Sequence, residues 1–108
     1  MSTINAPTPD FGSDGSGLPS NAMARICKAL GHPIRMQIVA ILMMEGQCFC
    51  GQLVKRLPLA QSTVSQHLKF LKDTGIITGE IDGPGTAYCL NRNLLRQFSK
   101  SLERFFEE

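Results

Sequence analysis

Residues 57–75, LPLAQSTVSQHLKFLKDTG, constrain the fold of this chain more than any other stretch. Pro58 has no backbone N–H and disfavours a helical conformation at the residue before it, so a first helix should end near Leu57. A second helix begins at Gln61, and Gly75 is placed to end it as a C′ residue. The stretch therefore predicts two helices joined by a short turn.

The second helix has one apolar and one polar face. Val64, Leu68 and Leu71 recur at i, i+4 and i+7, which predicts a buried face, and the Ser62 hydroxyl is expected to accept from N–H groups of the first turn. The solvent face carries short hydroxyls, amides and one lysine: Gln61, Ser62, Thr63, Ser65, Gln66 and Lys69.

Short hydroxyl and amide side chains both donate and accept hydrogen bonds, as the reading of base edges in a major groove requires. They are mediocre helix formers, so helix propensity does not explain their presence. The pattern is typical of a helix-turn-helix motif whose second helix, called the reader helix below, contacts DNA. The alternative is a capped amphipathic helix with no special role.

The distribution of charge agrees with a polyanionic partner. The whole chain carries a formal net charge of +2. Residues 23–79 hold seven basic residues against two acidic ones, a local net charge of +5, and the balancing acids lie towards the two ends. A locally basic surface around a helix-turn-helix motif suits nucleic acid.

Composition divides the chain into a tail and one domain. Residues 1–22 are rich in Pro, Gly and Ser and are predicted to be a flexible tail, in which residues 20–22 (SNA) resemble a remnant of cloning. Residues 23–108 are predicted to form a single domain. Its expected elements are helices over 23–30, 34–45 and 51–57, an extended segment over 47–50, the reader helix, strands over 76–81 and 86–91 around a turn at 82–85, and a last helix from 93 to 108.

These elements predict a mainly α-helical fold with a small β-hairpin wing, a winged helix-turn-helix. The helix over 34–45 is apolar on more than one face and is therefore expected to be the buried central helix. The last helix carries more apolar area than so short a chain has core to cover, so it is predicted to pack on a second subunit in a homodimer. That stripe is Leu94, Leu95, Phe98, Leu102, Phe105 and Phe106.

The sequence gives no support to an enzyme, a secreted protein or a membrane protein. The two histidines lie far apart in sequence, and neither a nucleophile signature nor a phosphate-binding glycine loop is present. The first residues form no secretory signal, and no apolar run is long enough to span a membrane. We therefore expect a cytoplasmic protein whose four cysteines are reduced.

Three segments match a known pattern: residues 29–38 (ALGHPIRMQI), 61–71 (QSTVSQHLKFL) and 75–77 (GII). They resemble the ArsR/SmtB family of metal- and stress-responsive repressors, and the resemblance extends from residue 23 to about 107. It implies a homodimer that places two reader helices in successive major grooves of double-stranded operator DNA and is released by an inducer. By position it implies DNA contacts for Gln61, Ser62, Thr63, Ser65, Gln66 and Lys69.

His67 and the tip of the wing lie near the expected DNA surface but are not assigned as DNA contacts. His67 is either packed internally at the base of the reader helix or in contact with DNA. The wing tip of the family is commonly basic, whereas Glu80 and Asp82 flank the turn here, so no DNA contacts are assigned to the wing.

The resemblance also bears on which inducer the protein would sense. Some family members bind transition metals through His and acidic residues of the last helix, but here that helix has neither His nor Cys. Cys48 and Cys50 resemble the Cys-x-Cys of the family's sensors of arsenic, antimony, cadmium and lead, whose soft ions suit thiolates. In a winged helix the segment before the motif normally pairs with the second wing strand, which would bring Cys48 or Cys50 near Cys89. The expected set is Cys48, Cys50 and Cys89, with Cys27 of the other subunit as the alternative third thiolate.

No cofactor is required for the expected function, and As(III), Sb(III) or another soft ion is the expected inducer. Two other interpretations of the thiols stay open. The cysteines either form a redox switch, in which oxidation alters DNA affinity, or fill the core with no sensory role.

Overall fold

The computed structural model describes residues 17–79 and 87–107, with the side chains of residues 47–50 left out. Five helices and three short strands occur in these residues. In chain order they are α1 (Ser20–Leu30), α2 (Pro33–Glu45), β1 (Gln47–Phe49), α3 (Cys50–Arg56), α4 (Gln61–Asp73), β2 (Ile77–Thr78), β3 (Ala87–Leu90) and α5 (Arg92–Phe106). The reader helix is α4.

One apolar core holds these elements together, and every helix contributes to it. The predicted inner face of α4 is confirmed, because Val64, Leu68 and Leu71 are fully buried. The other fully or nearly fully buried apolar residues are Met23, Ile26, Ala29, Ile38, Val39, Leu42, Leu53, Leu57, Ile76, Ile77, Tyr88, Leu90 and Phe98. The core thus fixes the inner face of the reader helix and leaves its outer face to solvent.

The three strands form a small antiparallel sheet in the order β1-β3-β2. Ile77 of β2 faces Leu90 of β3, which confirms the predicted pairing of the two strands of the wing. Gln47 of β1 faces Cys89 of β3, so the extended segment before the helix-turn-helix joins the same sheet, as expected. The predicted turn at 82–85, with the acidic residues flanking it, lies outside the described residues.

Helix α1 begins at Ser20, three residues before the expected start, so it includes residues assigned to the tail. The Leu18 N–H donates to the Ser101 hydroxyl over 2.7 Å, and Ser101 is fully buried in α5. This contact fixes the chain just before α1 and explains the longer helix. Cys27 of α1 is exposed, so it does not fill the core of this chain.

The prediction that α2 is buried on more than one face is wrong. Only Ile38, Val39 and Leu42 are buried, and they lie on one side. Three methionines of α2 are exposed: Met36, Met43 and Met44. Methionine is a flexible apolar residue that proteins also use at adaptable surfaces, so the high apolar content of this helix overstated its burial.

The described residues include no single helix that is long and apolar enough to cross a membrane. Helices α1 and α2 meet the length and composition limits only when taken together, and they are bent by 95° relative to each other.

Candidate nucleic-acid interface

The turn between α3 and α4 is anchored by buried leucines. Leu53 of α3 and Leu57 just after it are buried, and α3 ends at Arg56, as Pro58 predicted. The backbone N–H of Leu59 donates to the carbonyl of Leu57 over 2.8 Å, which closes the turn. These contacts hold the first helix of the motif against the core and set where the reader helix begins.

The predicted Ser62 cap is wrong. The N-cap of α4 is Ala60, in an extended conformation and without a side-chain acceptor, and Ser62 is the second helical residue. The Ala60 carbonyl accepts from the N–H groups of Thr63 and Val64, both over 3.1 Å. The first turn of the reader helix therefore has no side-chain cap, and the Ser62 side chain is exposed.

The C-terminus of α4 is closed as predicted. Gly75 has φ +86° and its N–H donates to the Lys72 carbonyl over 2.9 Å, while the Ile76 N–H donates to the Leu71 carbonyl over 3.0 Å. These two bonds make a Schellman motif, which needs the left-handed backbone that glycine adopts readily.

Asn91 then ties this end of α4 to α5. Its amide Nδ2 donates to the Gly75 carbonyl over 3.1 Å, and its Oδ1 accepts from the Leu94 N–H over 3.1 Å as the N-cap of α5. Its backbone N–H donates to the Ile76 carbonyl over 2.8 Å. One side chain thus connects the end of the reader helix with the start of the last helix.

The structure places all six residues of the predicted reader face on the side of α4 away from the core. Gln61, Ser62, Gln66 and Lys69 are exposed, and Thr63 and Ser65 are half-buried. The Lys69 ammonium lies 3.2 Å from the Asp73 carboxylate in an exposed pair. Such pairs contribute at most about 1 kcal/mol, so the lysine can exchange its partner for a phosphate at little cost. DNA contacts by these six residues stay a prediction.

His67 packs against a second histidine. Its ring centroid lies 4.5 Å from that of His32, and both rings are half-buried. Burial lowers the pKa of His67 below its usual 6.5, and the charges of His32 and Arg35 lower it further. The Nδ1 of His32 accepts from the Ile34 N–H over 3.1 Å and caps α2. The contact joins the start of α2 to the middle of the reader helix.

Arg35 is the residue near this interface that the sequence did not single out. Its Nε donates to the Ala29 carbonyl over 2.6 Å and its Nη2 to the Lys28 carbonyl over 3.2 Å. Its guanidinium carbon lies 4.1 Å from the centroid of the Phe70 ring of α4. Arg35 is one of seven basic residues within residues 23–79, and no spacing rule indicates these partners.

The four cysteines lie on four different elements. Cys89 is half-buried in β3, where the Thr78 hydroxyl lies 3.8 Å from its sulfur. Cys48 of β1 faces Tyr88, the neighbour of Cys89, and Cys50 is the first residue of α3. Cys27 is exposed on α1. Among the side chains that the structure describes, which do not include those of Cys48 and Cys50, no three of His, Cys, Asp or Glu converge on one point.

Helices α1 and α5 enclose an apolar groove of about 330 Å³. Phe106 is 72% exposed beside it, which is unusual for so large an apolar side chain. The groove is lined by Ser20, Met23, Ala24, Cys27, Leu102, Phe105 and Phe106.

Residues 32–78 match the family model described as bacterial regulatory protein, arsR family. The HTH-type transcriptional repressor SmtB of Mycobacterium tuberculosis is 38% identical over 88 residues, which are 82% of this chain and 59% of that protein. An uncharacterized HTH-type transcriptional regulator of Methanocaldococcus jannaschii is 31% identical over 80 residues, 74% of this chain and 90% of the other.

Among solved structures, the NMR structure of the cadmium metal-sensor CMTR from Mycobacterium tuberculosis superimposes with a TM-score of 0.55 at 34% identity, covering 72% of this chain and 80% of that one. The chain spans little more than half the length of several of the curated relatives that it matches, 58% in the case of the HTH-type transcriptional regulator CmtR of Mycobacterium bovis.

Proposed function

The chain belongs to the bacterial arsR family of regulatory proteins, and from this membership we propose that it is a transcriptional repressor that binds operator DNA as a homodimer. The relatives reported above are regulators or sensors, not enzymes. Because a repressor acts on DNA, cytoplasmic localisation is part of this proposal.

The observation that carries the proposal is the outer face of α4. Val64, Leu68 and Leu71 bury the inner face of this helix. Its outer face presents Gln61, Gln66 and other short polar side chains to solvent. A helix that binds another protein would show aromatic or leucine anchors on such a face. Hydroxyls and amides suit the donors and acceptors of base edges in the major groove.

The groove between α1 and α5 supports the homodimer. Phe106 and the partly buried Leu102 continue the apolar surface of the core to the outside of the molecule. A second copy related by a two-fold axis would cover this surface with the same residues and would present the two copies of α4 to the same face of one duplex, running in opposite directions along it. Reader helices that enter successive major grooves lie roughly 34–36 Å apart.

The DNA-binding part of the proposal is tested with duplexes selected by the protein from a random-sequence library. We expect the recovered sites to be palindromic and their affinity to fall steeply with salt, by on the order of a thousandfold between 50 and 200 mM if about six phosphates are contacted. Gln66→Ala should weaken discrimination between selected and scrambled duplexes. The matched control Gln97→Ala, exposed on α5, should leave it unchanged. Equal discrimination by both variants would refute the reader face.

The homodimer is tested by sedimentation. Phe106→Ser should shift the protein towards the monomer, because it removes apolar area from the groove that the second copy covers. Met44→Ser is the matched control, since Met44 is 79% exposed on α2, away from the groove. A wild-type protein that sediments as a monomer at micromolar concentration would contradict the proposal.

For the inducer, the thiols next to the helix-turn-helix motif are the best candidates. Cys48 lies in β1 and Cys50 starts α3, so a soft ion held by both thiolates would act directly on the backbone that leads into the motif. Cys89 of the neighbouring strand is the favoured third ligand, and Cys27 of the second subunit the alternative. Ligation would favour a dimer geometry in which the reader helices no longer fit successive grooves.

The sensing proposal is tested by titrating the reduced protein with arsenite, antimonite, cadmium and zinc while thiolate-to-metal absorption and release of the duplex are followed together. Cys50→Ser should keep DNA binding and lose release, and Cys89→Ser and Cys27→Ser should separate the two candidate third ligands. Release of Cys50→Ser by the same ion would contradict the proposal. Release by an oxidant alone would favour a redox switch.

A further inference from the structure

Arg35 satisfies the exposed end of α1. The last carbonyls of a helix have no partner within the helix and carry the negative end of its dipole. The guanidinium donates to two of them, the carbonyls of Ala29 and Lys28, over 2.6 and 3.2 Å. Bonds between a charged donor and such carbonyls are short and directional, so they fix the position of Arg35 relative to α1.

The same guanidinium is fixed relative to α4. Its carbon lies 4.1 Å from the ring centroid of Phe70, and Phe70 is half-buried against the core on the reader helix. A guanidinium stacks on an aromatic face as a rigid plane, which a flexible lysine does not reproduce. Arg35 itself belongs to α2, so one planar group on this helix contacts two others at once.

The two helices that Arg35 joins have different tasks in the proposed function. Helix α1 lines the groove that a second copy covers, and α4 carries the reader face. We propose that Arg35 is a positioning residue that sets the angle between α1 and α4 and, through the dimer, the spacing of the two half-sites that the protein accepts. This inference rests on the proposed function, because spacing has a meaning only for a dimer on DNA.

The spacing of half-sites gives a direct measurement. Insertion of two base pairs between them moves one half-site by about 7 Å and rotates it by about 70°. With the duplex selected by the wild-type protein as the probe, spacers are lengthened and shortened by one and two base pairs. When the spacer is changed by two base pairs, we expect the affinity of the wild-type protein to fall at least about tenfold. The affinity of Arg35→Gln should fall by about threefold or less for the same change.

Three further variants separate positioning from other roles. Arg25→Gln removes the same charge from an exposed position of α1 and should keep the wild-type spacing profile. Arg35→Lys keeps the charge, so a role as a plain phosphate-binding cation predicts full rescue, whereas positioning predicts the relaxed profile of Arg35→Gln. Phe70→Leu keeps the bonds to α1 and removes only the aromatic face, and it should relax the profile too. If Arg35→Gln does not unfold cooperatively, and is therefore not properly folded, Phe70→Leu is the variant that tests the proposal.

The outcomes distinguish this inference from the proposed function. A wild-type protein that binds no duplex, or whose affinity does not depend on spacing, contradicts the dimeric repressor itself. A wild-type protein with a sharp spacing optimum that Phe70→Leu and every folded Arg35 variant retain overturns the positioning role alone. Relaxed spacing in the Arg35 and Phe70 variants, with unchanged base preference within a half-site, establishes it.

Discussion

Replacement of Asn91 tests the connection between the reader helix and the last helix. Asn91→Ala removes two hydrogen bonds at once, the cap on the Leu94 N–H and the bond to the Gly75 carbonyl, each 3.1 Å long in the wild type. Asn91→Asp keeps an acceptor for the cap but has no N–H to donate to Gly75. The pair of variants therefore separates the two bonds.

The expected losses follow from the two bonds. Loss of an N-cap costs about 1 kcal/mol, and loss of a hydrogen bond that leaves a half-buried carbonyl without its donor costs about another 1 kcal/mol. Asn91→Ala should therefore lower the free energy of unfolding by about 2 kcal/mol, and Asn91→Asp by about 1 kcal/mol. For a domain of this size, 2 kcal/mol corresponds to a fall in Tm of roughly 10 °C.

The assay is urea denaturation followed by far-ultraviolet circular dichroism at one fixed protomer concentration, because the stability of a dimer depends on concentration. Asn93→Ala is the matched control, since Asn93 is exposed in the first turn of the same helix, and its effect should stay within about 0.5 kcal/mol. An Asn91→Asp variant as stable as the wild type would show that the Gly75 bond does not hold the two helices together.

Three further predictions concern stability. Because the pKa of His67 is lowered in the folded protein, the unfolded state takes up the His67 proton first as the pH falls. The free energy of unfolding should therefore decrease from pH 7 downwards through 6.5. In denaturation series at several pH values, His67→Gln should flatten that dependence. Gly75→Ala should lower the free energy of unfolding by about 1 kcal/mol, because Gly75 has a φ of +86°. Gly79→Ala should lower it more, because the added Cβ would lie 2.6 Å from a backbone oxygen of β3. Equal losses in urea denaturation would contradict this reasoning. Leu68→Ala should cost about 2–5 kcal/mol by the same assay, and a loss below about 1 kcal/mol would mean that the core collapses around the site.

Local patterns were enough to predict the elements around the reader helix. Pro58, Gly75 and the spacing of Val64, Leu68 and Leu71 act through backbone geometry and burial, which depend on near neighbours in sequence. The three-stranded sheet also followed, because a winged helix places the segment before the motif beside the second wing strand. The start of α1 did not, since it depends on a hydrogen bond to Ser101 in α5.

The contacts that orient the reader helix could not be predicted. Arg35 finds its partners on α1 and α4, and the Asn91 amide finds the Gly75 carbonyl, through contacts that no sequence spacing indicates. The exposure of Cys27 could not be predicted for a related reason, because tertiary packing decides which positions beside a narrow apolar stripe of a helix are buried. DNA contacts and thiol ligands depend on molecules beyond this chain.

The bond between Leu18 and Ser101 has a consequence for the order of folding. It closes a loop of 83 residues, whereas the contacts of α3 with α4 close short loops. Short loops close at a smaller entropic cost and sooner, so the helix-turn-helix can form while the chain is still being synthesised. The surface between α1 and α5 is completed only when α5 has left the ribosome. The apolar groove therefore forms after the reader helix is already in place.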